Sequence, residues 1–256
     1  MLQLIEVVKM PRYAREKSQT GIYHVMLRGI DKRDIFLKQN DYTRFLHYIE
    51  LAKEKSETSL LAYCLMTNHV HMLLKEGKEE IGNFIRRVAV GYAQYHNSNY
   101  GRTGHLFQNR YQSEPVNSDE YLLVVSRYIH QNPLKAGIVK HIKDYKWSSY
   151  NDYLINKKNT ITDTGFLEKY FINIESFIEF NNQKNHDICL DYEEKKRYTE
   201  DELRIIISEI VRIEKLSLME IKERNIALKK IKKETGASIR QLEKVLGIGR
   251  NIIQKA

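Results

Sequence analysis

The stretch that most constrains this chain is Ala62-Tyr63-Cys64-Leu65-Met66-Thr67-Asn68-His69-Val70-His71-Met72-Leu73-Leu74. Its apolar character breaks only at Thr67-Asn68, which predicts two short strands joined by a tight polar turn. Residues two apart on a strand share a face, so His69 and His71 point one way and Val70 and Met72 the other. Two imidazoles side by side on a strand make half of a metal site that needs no loop to position it. A strand histidine is equally a hydrogen-bonded core residue, so the rest of the chain has to decide between the two.

Residues 21–28, Gly21 to Arg28, read as a strand that ends at Gly29. Asp41 to Lys55, with Phe45, Leu46, Tyr48, Ile49 and Leu51 on a helical period, reads as an amphipathic helix capped by Asn40. Ile81 to Asn97 returns to helical spacing through Ile81, Phe84, Ile85, Val88, Tyr92 and Tyr95, with Arg86 and Arg87 off that side. Gly101 and Gly104 break the chain, and His105 to Val116 supplies a fourth strand. The order strand, helix, strand, strand, helix, strand predicts an α+β, ferredoxin-like split βαβ sheet, with helices on one face and the other free for a ligand.

Asn117, Ser118, Asp119 and Glu120 provide a cap and first-turn acids, so a third helix starts there. Pro133 disfavours helix in the residue before it and predicts the end of that helix. Tyr121, Val124, Val125, Tyr128 and Asn132 fall on one side. Tyr128 and Asn132 are one turn apart, so a phenol and an amide oxygen can reach one point. Such a stripe is also what core packing produces, and with 17 tyrosines in the chain periodicity singles out none of them.

The net charge of +9 and a pI near 9.3 favour a polyanionic partner. Residues 1–150 carry 22 basic and 15 acidic side chains, 151–200 carry 7 and 10, and 201–256 carry 13 and 8. Two basic regions flank an acidic connector, as expected of two nucleic-acid-contacting modules, although a solvated basic surface gives the same count. The expected organisation is a main domain over 1–150, a linker with some helix over 151–200 and a helical region over 201–256. Within the last, Ser238 caps a short helix, Gly247 ends it, and a second short helix carries Arg250, Asn251, Gln254 and Lys255. A helix-turn-helix over about 236–256, reading duplex DNA, follows from that pattern. No apolar run approaches the ~20 residues of a membrane span, and the first residues lack the basic start and cleavage site of a signal peptide. A cytoplasmic protein with no membrane partner is expected. Cys64 and Cys189 form neither a zinc pair nor a disulfide framework, and Cys64 reads as core.

Three stretches, residues 63–74, 104–111 and 127–137, the last holding Tyr128-Ile129-His130-Gln131-Asn132-Pro133, together resemble the single-tyrosine HUH transposases. The likeness is closest to the insertion-sequence-200-like superfamily and, within it, to the REP-associated tyrosine transposases, and it covers residues 10–150. It implies a ferredoxin-like nuclease acting on single-stranded DNA with hairpin or palindromic ends through a covalent 5′-phosphotyrosine. Carried over by position, His69 and His71 become metal ligands, Asn132 the third ligand and Tyr128 the nucleophile, with Mg²⁺ or Mn²⁺ as cofactor. Related transposases often have glutamine where Asn132 stands and proline where Thr67 stands. Arg28, Arg86, Arg87, Arg102 and Arg110 are the basic residues expected along the DNA. Relatives include monomers and dimers with shared sites, so a homodimer is among the expected states.

The residue types make chemical sense without the family. A free tyrosine has a pKa of about 10 and attacks poorly at neutral pH unless the phosphate is activated or its proton removed. Two imidazoles and an amide oxygen can hold a divalent cation that does the first. Two other readings compete. A non-catalytic regulator would use the sheet as an RNA-recognition surface, with Tyr23, Tyr63 and Phe107 as stacking aromatics. A metal-dependent hydrolase would use water as nucleophile and leave Tyr128 without a task.

Overall fold

The computed structural model describes residues 15–155, 160–191, 198–216 and 218–256. The N-terminal segment, and parts of the expected linker at 156–159 and 192–197, lie outside the described residues.

Strands β1 (Ile22–Arg28), β2 (Ser59–Leu65), β3 (His69–Lys75) and β4 (Gln112–Pro115) form one sheet in the order β2-β3-β1-β4, every neighbour antiparallel. Helix α1 (Gln39–Ser56) connects β1 to β2 and α2 (Ile81–Asn99) connects β3 to β4. This is the ferredoxin-like arrangement, and it brings β1, first in sequence, beside β3 at the middle of the sheet. The fourth strand is shorter than expected. Phe107 makes only an isolated bridge to Gly29, and positive φ at Gly104 (88°) and Asn109 (57°) turns the chain out of extended geometry before Gln112.

Alternation sorts the strands into two faces. Tyr23, Val25, Leu27, Tyr63, Val70, Met72 and Leu74 pack with Phe45, Ile49, Phe84, Val88 and Tyr92 of α1 and α2. Leu51, placed on the apolar period of α1, is 41% exposed instead. Asn40 is not the cap of α1 either. It lies inside the helix, while the buried Asp41 carboxylate accepts from the backbone N–H groups of Leu37 and Lys38, each at 2.8 Å, and from Tyr100 Oη at 2.7 Å. A carboxylate with several donors is a stronger acceptor than an exposed amide, so it takes over the helix start.

The opposite face is not free. Leu61, Ala62, Cys64, Met66 and Leu73 pack against Leu122, Val125, Tyr128 and Ile129 of α3 (Asp119–Lys135). Tyr23 and Tyr63 are buried and Phe107 is half-buried in the first core, so neither sheet face offers the stacking platform that an RNA-recognition reading needs. Ser118 caps α3 as expected, its hydroxyl accepting from the N–H of Tyr121. The helix does not stop before Pro133 but runs two residues past it. One proline near a C-terminus forfeits a single ladder bond, and here its ring is buried and the chain is turned off at Gly137, φ 69°.

Beyond α3, short helices α4 (Tyr150–Leu154), α5 (Gly165–Glu168) and α6 (Ile174–Asn182) cover the rest of that face. Buried His130 bonds Asn181 Oδ1 at 2.8 Å and Ser149 Oγ at 3.0 Å, and the Asp163 carboxylate accepts from the N–H of Leu60 at 2.7 Å. The first compact unit therefore extends to Asp191 and takes in much of the stretch expected to be a connector. Burial of Tyr150, Tyr153, Leu167 and Phe177, spaced too irregularly to read as one helix, is the physical reason.

The second unit starts at Tyr192. Helices α7 (Glu200–Ile210), α8 (Ile213–Leu216), α9 (Ile221–Thr235), α10 (Ile239–Leu246) and α11 (Arg250–Lys255) enclose their own core of Leu203, Ile207, Leu216, Leu228, Ile231, Leu242, Val245 and Ile253. Ser238 caps α10 and Gly247, at φ 66°, ends it, as the sequence indicated. Arg250, Asn251, Gln254 and Lys255 are exposed on α11. Among the described residues no helix is long and apolar enough to cross a membrane.

Candidate active site

His69 opens β3 and His71 follows two residues later on the face that α3 covers, because alternation along β3 sends Val70, Met72 and Leu74 to the other face; the register sets Arg28 opposite His69 and Met26 opposite His71. Their ring centroids are 5.1 Å apart. Leu122 and Val125 of α3 pack in the core with β2, and the third turn carries Tyr128 over the histidines, its ring edge-on to His71 at 5.7 Å. A pocket of about 460 Å³ opens beside them, lined by His69, Tyr128, Asn132, Lys135, Asp187 and Asp191 among others. The tertiary fold thus brings His69, Tyr128 and Asn132 to one pocket with His71 against the Tyr128 ring, uniting residues from two of the three sequence motifs.

Burial dominates the electrostatics. It lowers the pKa of His69 to about 4, with the Asp191 carboxylate opposing and Arg28 assisting, and it drives fully buried His71 well below the ordinary imidazole value. Both rings are neutral at physiological pH, the state in which imidazole binds a cation. His69 Nδ1–H donates to Asn68 Oδ1 at 2.6 Å, which leaves Nε2 with its lone pair. His71 Nε2 is buried and has no hydrogen-bond partner among the described residues. Asn132 Nδ2 donates to the Tyr128 carbonyl at 3.0 Å, leaving Oδ1 as acceptor. Among the described residues no group of three His, Cys, Asp or Glu side chains is placed to hold a metal ion, and the Asn132 side chain lines the same pocket as His69. An orphaned buried nitrogen, a second imidazole lone pair and an amide oxygen fit a divalent cation.

Tyr128 Oη donates to Asp191 Oδ2 at 3.0 Å. Burial first, then the charge of Asp191 and this bond, push the phenol above its ordinary pKa, with a smaller opposing pull from the Asn132 amide. Lys135 holds its ammonium 5.1 Å from the centre of the Tyr128 ring. The segment that delivers Asp191 is tied down by a bidentate pair, Arg127 Nε to Asp187 Oδ2 at 2.9 Å and Nη2 to Oδ1 at 3.1 Å. Gln131 Nε2 adds bonds to the carbonyls of Asn181 at 2.7 Å and Gln183 at 3.0 Å.

Sequence reasoning missed Asp191, Lys135 and the ring of His24 that contacts His71. Asp191 falls in the acidic stretch 151–200, where no sequence pattern sets it apart from the other carboxylates. His24 shares its strand parity with Ile22 and Met26, and the predicted ferredoxin-like order sets β1 beside β3, but no sequence pattern fixes the register that makes His24 the diagonal neighbour of His71. The predicted DNA-contacting arginines are not gathered at one place. Arg28 stands opposite His69 at the site. Arg86 and Arg87 lie on α2, in the layer across the sheet, where Arg87 is held by Glu79 at 2.7 and 2.8 Å. Half-buried Arg102 and exposed Arg110 lie on the connection from α2 to β4, and Arg250, Asn251, Gln254 and Lys255 belong to the second unit.

Residues 17–132 match the family model described as "Transposase IS200 like". A Haemophilus influenzae protein named as a REP-associated tyrosine transposase is 24% identical over 156 residues, spanning 56% of this chain and 86% of the relative. The solved structure of a REP-associated tyrosine transposase bound to a REP hairpin aligns with a TM-score of 0.49 at 18% identity, covering 60% of this chain and 94% of that one. A Deinococcus radiodurans transposase-family structure aligns with a TM-score of 0.34 at 17% identity, covering 47% and 97%.

Proposed function

Because residues 17–132 match the IS200-like transposase family model, we propose that the protein cleaves and rejoins single-stranded DNA at hairpin-associated sites through a covalent bond between Tyr128 and a 5′-phosphate. The observation that carries this reading is the shared pocket of Tyr128, His69 and Asn132, with a carboxylate already bonded to the phenol.

In the reaction, Tyr128 Oη attacks the scissile phosphorus, the new bond joins Oη to phosphorus, and the bond to the 3′-oxygen breaks. Asp191 Oδ2 receives the phenol proton, and the released 3′-oxygen takes up a proton to leave as a hydroxyl. His69 Nε2, His71 Nε2 and Asn132 Oδ1 are the atoms that would hold Mg²⁺ or Mn²⁺. When bound, that cation would neutralise charge on the phosphate and on the leaving oxygen. Lys135 and Arg28 add fixed positive charge near the nucleophile and near His69. Because the product is a phosphotyrosine ester, a 3′-hydroxyl can reverse the attack and rejoin a strand, which a water nucleophile would not permit. The helices of residues 201–256 would add duplex DNA contacts through Arg250, Asn251, Gln254 and Lys255, without a part in the chemistry.

The test is a denaturing-gel assay for protein–DNA adduct on a single-stranded hairpin substrate with Mn²⁺ or Mg²⁺. Tyr128→Phe is expected to abolish the adduct while DNA affinity stays within about 3-fold, since one hydroxyl contributes little to a phosphate-dominated interface. Adduct formed by that variant would mean that another tyrosine attacks.

A further inference from the structure

His24 has no role in the reaction as written, yet it is wholly buried at the centre of β1 and bonded to a proposed ligand. Its Nε2 lies 3.0 Å from His71 Nδ1, with ring centroids 5.2 Å apart. The register pairs Met26 with His71, so His24 is the diagonal neighbour on the same face. The Tyr128 ring stands edge-on to both imidazoles, at 5.9 Å from His24 and 5.7 Å from His71.

A nitrogen-to-nitrogen bond between neutral imidazoles holds one proton, and each ring has one N–H and one lone pair. If His24 Nε2–H donates, His71 carries its own proton on Nε2 and cannot ligate through that atom. If His71 Nδ1–H donates, His24 Nε2 accepts and His71 Nε2 keeps its lone pair. Among the described residues neither His71 Nε2 nor His24 Nδ1 has a hydrogen-bond partner, so each arrangement leaves one buried N–H unbonded. The first leaves the remaining lone pair on His24 Nδ1, and only the second leaves it on His71 Nε2, the atom proposed as a ligand.

We propose that His24 is a positioning residue that accepts the Nδ1 proton of His71, fixing its tautomer and ring orientation before any cation arrives. The inference rests on His71 being a metal ligand through Nε2. The ligand histidine in a metal site usually donates its other N–H to a carboxylate, carbonyl or water, and loss of such a partner typically costs 10- to 100-fold in metal affinity. Here the acceptor is another imidazole, which orients the ligand without adding negative charge to the site.

The test compares full-length wild type with His24→Gln, whose amide oxygen can still accept, and His24→Leu, which fills the space without an acceptor. Long-range ¹H–¹⁵N spectra of the histidine rings in metal-free protein report the tautomers, and titration with Mn²⁺ followed by the electron paramagnetic resonance of the free ion reports affinity. Wild-type His71 is expected to be protonated on Nδ1 and to lose that preference in His24→Leu, with Mn²⁺ affinity reduced about 10- to 100-fold. His24→Gln is expected to stay within a few-fold of wild type. A packing role predicts the reverse order, because leucine suits a dry site better than an amide with unpaired N–H groups. Protonation of wild-type His71 on Nε2, or unchanged Mn²⁺ affinity in His24→Leu, overturns the proposal. A His24-dependent Nδ1 proton in a wild type that binds no Mn²⁺ upholds the tautomer and overturns the metal reading instead. If His24→Leu does not fold, the wild-type spectra and His24→Gln still decide.

Discussion

Replacing Asp191 by asparagine is the most informative single change at the site. Asparagine keeps the shape and can still meet the Tyr128 hydroxyl, but it takes no proton at ordinary pH and carries no charge. Losing a positioned base costs about 10²- to 10⁴-fold in rate, or about 2.7–5.4 kcal/mol of barrier. A second effect opposes it. Asp191 is, after burial, the main reason that the phenol titrates above its ordinary value, so Asp191→Asn moves the Tyr128 pKa down. We therefore expect the lower end of the range, about 10²-fold slower adduct formation at pH 7. The sign with pH follows: below the phenol pKa the phenolate fraction grows tenfold per unit, so the variant gains about tenfold per pH unit between 7 and 9, whereas the wild type gains less because its proton already has an acceptor. Single-turnover adduct formation on a labelled hairpin, quenched in denaturant at a series of pH values, measures both quantities. A variant as fast as wild type at pH 7, or one with the same pH slope, would refute the assignment of Asp191 as proton acceptor.

Three further outcomes are expected. His69→Ala should lower adduct formation more than Asn132→Ala, and raised Mn²⁺ should rescue Asn132→Ala better, since water can replace one amide ligand more readily than an imidazole; equal losses without rescue would give Asn132 another task. The buried imidazoles make folding acid-labile: His24 is held near 3 and His69 and His130 near 4, against 6.5 unfolded, so their contribution is complete above about pH 6.5 and declines as pH falls toward 4, by up to about 1.4 kcal/mol per unit for each group. Urea midpoints that stay flat between pH 7 and 4.5 would contradict that linkage. A fragment of residues 1–200, which retains Asp191, should still form the Tyr128 adduct on a short hairpin but bind longer DNA less tightly and with a shallower salt slope, as expected when phosphate contacts are lost; a folded fragment without adduct activity would place part of the site in the C-terminal helices.

What the sequence determined by itself was local. Alternation around His69 and His71 placed both rings on one face of β3, helical spacing put Tyr128 and Asn132 one turn apart on α3, and Ser118, Ser238 and Gly247 marked helix ends, because each of these depends on a few neighbouring residues and a fixed backbone period. Asn40 and Pro133 misled for the same local reason. A cap or a helix stop can be overruled by partners distant in sequence, here the tyrosine bonds that hold Asp41 and the burial of the Pro133 ring. Only the tertiary structure decided that α3 covers the second sheet face, that His24 meets His71 across 47 positions of sequence, and that Asp191 meets Tyr128 across 63. Strand pairing and the return of residues 181–191 along α3 are set by packing energies summed over the whole core, and no short window of sequence carries them.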